Sequence, residues 1–145
     1  MEKGIQSFAG VIIENSEGQI LLVRKVDHYA YAIPWSRIIP GKSLIDSIKE
    51  RVMDLTGLSI QPVFLGPNEL IDGDFHFISF DHTAKVSTSE HHYIREGLDY
   101  LWAGPDELLG IPMVPLTRQI LEEYYLNKGI ETRLSSHPRK LGERE

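Results

Sequence analysis

The sequence predicts one α+β domain in which a β-hairpin, a long loop, a helix, further strands and a second helix follow in order. Three observations carry this. Residues 8–14 and 19–25 are apolar, largely β-branched runs flanking Asn15-Ser16-Glu17-Gly18, a turn-forming cluster. Ile45, Ile48, Val52 and Leu55 recur at helical spacing between a capping serine and a terminating glycine. Leu116, Ile120, Leu121 and Tyr124 repeat the pattern around 117–128, which Gly129 ends. The chain's 145 residues suffice for one core, and no repeat or linker divides them. The domain is expected over 1–129, with a polar, flexible tail over 130–145.

The elements follow from local chemistry. Strand 8–14 turns at 15–18 and returns as 19–25, a hairpin. Residues 27–41 read as a loop with three aromatics and two prolines. Ser43, followed by Asp46, fits a capping box with aspartate replacing glutamate, and Gly57 suits the left-handed position past the helix end. Strands are expected at 60–65 and 75–86, joined by the polar stretch 66–74, with a bulge where 75–86 alternates imperfectly. A short strand at 100–103 precedes a helical turn opened by Pro105.

Composition excludes several classes. There are no cysteines, hence no disulfide or thiolate metal site. A formal charge of −6 argues against a nucleic-acid backbone as the main partner. The N-terminus lacks signal-peptide character, and no apolar run approaches the ~20 residues that span a bilayer. A cytoplasmic protein without a membrane partner is expected. His76, His82, His91 and His92 lack metal-ligand spacing and read as an ordinary polar loop. Arg133, Arg139, Lys140 and Arg144 are interrupted by acids and a proline and read as a solvated terminus.

The stretch from Pro40 to Leu58 resembles the signature box of the Nudix superfamily, enzymes that cleave nucleoside diphosphates linked to another group. That box runs glycine, five residues, glutamate, seven residues, then R-E-U-x-E-E-x-G-U, with U aliphatic. Anchored on Gly57-Leu58, it places Ser36 at the first glycine, Lys42 at the first glutamate, Glu50-Arg51 at R-E and Asp54-Leu55 at E-E. Tyr31-Ala32-Ile33-Pro34 is similar to the lead-in to the box, and residues 102–108 to the tryptophan strand and short helix near the family's C-terminus. The resemblance spans about residues 6–128. It implies the Nudix fold, an α/β/α sandwich around a mixed curved β-sheet.

The resemblance also implies a chemistry that this box largely lacks. In active members box-helix glutamates bind magnesium or manganese, hard cations that want oxygen ligands. Here Asp54, Glu50 and Glu96 are the candidate catalytic and metal-binding acids, with Mg or Mn as cofactor if the protein is active and none otherwise. Glu96 lies six residues ahead of Trp102, resembling an extra metal-binding glutamate of some members. The four matched positions Arg51, Asp54, Leu55 and Glu96 carry −1, where four acids would carry −4. Arg24, Tyr31, Trp35 and Arg51 are the candidate substrate-binding residues.

Each residue also has a plainer explanation. Leu55 extends the apolar stripe into the core. Asp46, Glu50 and Asp54 share a helix face, where they either bind a cation or are solvated beside Lys42 and Lys49. Arg51 either contacts phosphate oxygens or makes an exposed ion pair. Trp35 and Tyr31 either stack on a base or fill the pocket. Three functions follow: a Nudix-fold protein with catalysis lost or strongly weakened that still binds a nucleotide- or pyrophosphate-type ligand; a divergent Mg-dependent hydrolase of a nucleoside diphosphate derivative; or a structural, partner-binding subunit. A homodimer is allowed by the resemblance.

Overall fold

A computed structural model describes residues 4–87 and 94–130. Six strands form one mixed sheet: β1 (Ile5–Glu14), β2 (Ile20–Lys25), β3 (Trp35–Arg37), β4 (Val63–Asp72), β5 (Phe75–Lys85) and β6 (Leu98–Ala103). Helix α1 spans Leu44–Thr56, a 3-10 helix Pro105–Gly110, and α2 Pro115–Asn127. The sheet order is β4-β5-β1-β2-β6, and β3 pairs with β1. Strand β1 runs parallel to β5, from Ile5 opposite His76 to Glu14 opposite Lys85; the other pairs are antiparallel.

Strand alternation builds two cores. Ala9, Val11 and Ile13 point to one face, where they pack with Ile48 and Val52 of α1. Ile12, with Ile20 and Leu22, points to the other, against Ile120, Leu121, Tyr124 and Tyr125 of α2. The sheet therefore lies between the two helices, the expected α/β/α sandwich.

The α1 signals hold. Ser43 Oγ accepts from Asp46 N at 3.0 Å, and Gly57 closes the helix at φ 75°. Leu55 is buried, as its place in the stripe implied, whereas Ile45 is 39% exposed and Leu44 packs on the core instead. Four other expectations change. The hairpin exists but β1 and β2 pair only at Glu14 and Ile20, because β1's inner edge is taken by β3. That strand, Trp35–Arg37, lies inside the stretch expected to be loop.

The polar stretch 66–74 is not a connection but most of β4, which turns at Gly73 into β5. An edge strand tolerates Pro67 and polar side chains, since one backbone face needs no partner. The irregularity lies there too, between Phe64 and Gly66, and not on β5. His76 and His82 both lie on β5; His76 meets Glu69 at 2.6 Å, and His82 is buried with Nδ1 3.2 Å from the Gly10 carbonyl oxygen. His91, His92 and nearly all the expected tail, 131–145, lie outside the described residues. No helix among the described residues is long and apolar enough to cross a membrane.

Candidate functional site

Helix α1 presents its polar face beside the β3 edge, and two of its acids there, Glu50 and Asp54, are matched by cations. Lys42 Nζ donates to Glu50 Oε1 at 2.6 Å. Arg95 Nη1 donates to Asp54 Oδ2 at 2.7 Å, and Arg51 Nη1 lies 3.8 Å from the same oxygen. Arg95 is brought there by its own backbone, whose N–H donates to the Leu55 carbonyl oxygen at 2.9 Å. Glu96 is exposed in the following turn, and among the described residues no three acidic or histidine side chains converge on a point that could hold a metal.

A hard divalent cation needs several oxygen ligands free to turn towards it. Three cations around Glu50 and Asp54 supply the opposite field, so this donor set does not fit magnesium or manganese. What the arrangement offers is guanidinium and ammonium donors, the groups that bind phosphate oxygens directly. The side chains of these pairs are between 33% and 65% exposed, and such surface pairs contribute ~0–1 kcal/mol to stability. Their partners can therefore be exchanged at little cost to the fold.

On the α2 side of the sheet lies a cavity of about 320 Å³, within the range of small-molecule sites. Pairing explains its walls. Gly10 sits opposite Trp35, and Phe8 opposite Arg37, so these four share the cavity face, while Ser36, opposite Ala9, is buried on the α1 face. Phe77 and Ser79 of β5 and Leu70 of β4 continue the floor; Pro115, Leu116 and Thr117 of α2 form the roof. The Phe8 ring meets Trp35 edge-on at 5.0 Å between centroids and Phe77 at 5.9 Å. Trp35 stays 41% exposed, so it walls the cavity and does not fill it. It also joins cavity to helix, because its carbonyl oxygen accepts from Arg51 Nε at 3.3 Å.

Beneath the apolar floor is a buried polar group. Asp81 is fully buried; Ser79 Oγ donates to its Oδ1, and Asn68 Nδ2 donates to its Oδ2 at 2.8 Å. Burial pushes the Asp81 carboxyl above the usual carboxylate range, and the bonds from Ser79 and Asn68, with nearby His82, offset part of that. Gly10 makes the space: a Cβ there would lie 2.7 Å from Asp81 Oδ1 and 3.3 Å from Ser79 Oγ.

The sequence-predicted residues thus divide. Trp35 lines the cavity and Arg51 reaches its backbone carbonyl without lining the cavity itself, whereas Arg24 and Tyr31 form a separate packed unit. The Arg24 guanidinium sits 4.5 Å above the ring of buried Tyr31 and is tied to Asp99 at 3.3 Å and to the Tyr29 carbonyl oxygen at 2.9 Å. Tyr31 is in the core because Val23 and Met113 bridge its segment from both sides. Glu50, Asp54 and Glu96 are not gathered into one ligand set. Phe8, Phe77, Ser79 and the exposed Arg37 were missed. The signal for Arg37 was its place two residues after Trp35, but only a strand at β3 makes that a shared face.

No protein-family model and no curated protein matches the sequence. Solved structures match it in fold. A MutT protein from Methanosarcina mazei is 18% identical, covering 90% of this chain and 99% of its own, with a TM-score of 0.72. The Nudix domain of Shewanella oneidensis NrtR, solved with ADP ribose, is 16% identical over 88% of this chain and 90% of its own, at 0.71. An Ap4A hydrolase of C. elegans is 11% identical over 86% and 98%, at 0.68. At these identities the likeness establishes the architecture: the chain has the Nudix fold.

Proposed function

We propose that this Nudix-fold chain binds a nucleoside diphosphate derivative, with metal-dependent hydrolysis lost or strongly weakened. The observation that carries the reading is the pairing of both candidate metal-binding acids of the box helix with cations: Glu50 with Lys42, and Asp54 with Arg95 and Arg51. A base stacks against Trp35, Phe8 and Phe77, and its phosphates run out along β3 towards Arg37 and Arg51. The ADP ribose bound by the NrtR domain and the substrate named for the Ap4A hydrolase are both adenine nucleotides, which supports that ligand class. The open cavity supports a ligand over a purely structural, partner-binding role.

Magnitude supports weakened chemistry. A metal that polarises phosphate supplies several kcal/mol of transition-state stabilisation, and each ~1.4 kcal/mol is tenfold in rate. Arginines can hold the phosphates but do not activate water. The test is calorimetric titration of the full chain with ADP ribose, in magnesium and in chelator, with product followed by chromatography. The expected result is equal affinity in both and no product, with Arg51→Gln weakening binding about tenfold or more, the worth of a charged hydrogen bond. Magnesium-dependent product that disappears in Asp54→Asn would overturn the reading in favour of a divergent hydrolase.

A further inference from the structure

The cavity's floor has a chemical polarity of its own. Of the polar side chains lining the cavity, Asp72 is exposed, and in the roof the Thr117 hydroxyl accepts from Ile33 N at 3.2 Å. Ser79 is only 3% exposed, and its hydroxyl hydrogen is committed to Asp81 Oδ1. A hydroxyl has one hydrogen and two lone pairs, so Ser79 offers the cavity lone pairs only. Asp81 holds that hydrogen firmly. Its other oxygen already accepts from Asn68, so releasing Ser79 would leave a buried charge with a single side-chain donor. Gly10 keeps the two oxygens in place by leaving no Cβ against them.

We infer that Ser79 is a specificity-determining acceptor, oriented by Asp81, which selects bases presenting an amino group to the cavity floor over bases without one. The inference rests on the cavity being the base site proposed above. Adenine carries such a donor on its exocyclic nitrogen. A base with only an acceptor or a C–H there leaves the buried Ser79 lone pair unmatched, the kind of loss that gives strong discrimination. Asp81 is a positioning residue: it sets which way the hydroxyl points without touching the base.

The direction of the effect can be reversed by one atom. In Asp81→Asn, Asn68 still donates to the side-chain oxygen, so the new amide nitrogen faces Ser79 and donates to it. The Ser79 hydrogen is then released towards the cavity, which now presents a donor to the base. Shape and burial are unchanged, and both internal bonds are kept.

The test measures dissociation constants of ADP and purine-riboside 5′-diphosphate, which differ only in the exocyclic amino group, for the full chain in chelator. The wild type is expected to prefer ADP about tenfold or more, and Ser79→Ala to erase that preference. Asp81→Asn should erase or invert it while its apo melting temperature confirms folding, which keeps the test sound if Ser79→Ala misfolds. Equal affinity in the wild type, or an ADP preference that survives in Asp81→Asn, overturns the acceptor role and leaves the cavity reading standing. Binding of neither nucleotide overturns both.

Discussion

Gly10 shows how one missing side chain can organise a site. It lies in the middle of β1, where glycine weakens a strand, and it is kept because Asp81 and Ser79 occupy the space a Cβ would need. Gly10→Ala is therefore expected to destabilise the protein by about 1–3 kcal/mol through overpacking. Denaturant melts would check this, and the same change should weaken ligand binding by moving Ser79. Trp35 carries the opposite kind of role, with an exposed ring that contributes little to the core. Trp35→Ala should leave the melting temperature nearly unchanged yet weaken nucleotide binding by about 1–3 kcal/mol, the usual worth of a stacked base. Loss of stability without loss of affinity would mean that the ring packs and does not bind. Arg24 and Tyr31 are the contrast, because each is satisfied by the other and by neighbouring chain.

Helix α1 was legible almost residue by residue, since its start, stripe and stop are local signals. Ser43 supplies the capping bond, so Ser43→Ala should cost about 1 kcal/mol. A thermal melt measures it, and no change would mean that the capping bond adds nothing to stability. Strands β3 and β4 were not legible, and for a shared reason. Three-residue β3 is held by its pairing with β1, with Pro34 bonded to Val11 just before it, none of which has a periodic signature of its own. In β4 the Gly66-Pro67-Asn68 run reads as a turn, yet edge position and a register shift let it pair with β5 throughout. Missing those strands hid half of the cavity, because Leu70, Trp35 and Arg37 share its face only once the pairing is known.

The sandwich is tied across its layers by Glu14 at the end of β1. Tyr124 Oη donates to Glu14 Oε1 at 2.7 Å, and Lys128 Nζ lies 3.2 Å from it, so the sheet and the C-terminal end of α2 are linked. Partial burial alone would raise the Glu14 carboxyl, but hydrogen bonds from Tyr124 and Lys128 and the charges of Lys128 and Lys85 leave it below the usual range. A depressed folded-state value contributes stability above the unfolded value, ~4.3 for glutamate, that is lost as pH falls through the folded value. Unfolding free energy should therefore drop on acidification below about pH 4, and Glu14→Gln should flatten that limb. An unchanged slope in the variant would show that other acids carry it. Asp81 acts in the opposite sense: its raised value means stability that is present at low pH and lost as pH rises through it.

The sandwich followed from the family resemblance, and the amino-acid order alone determined both helices and the start and stop of α1. These depend on local signals and on a period of 3.6 residues, which a linear reading captures. The pairing of Glu50 and Asp54 with cations, and the cavity with its buried acceptor, were decided by tertiary structure. Arg95 reaches Asp54 from 41 residues away, and Asn68 and Gly10 meet Asp81 only through the register of three strands, whereas Ser79 is its near neighbour on β5. Side-chain polarity at such a site is a property of who donates to whom, and that is set by contacts between segments far apart in the chain.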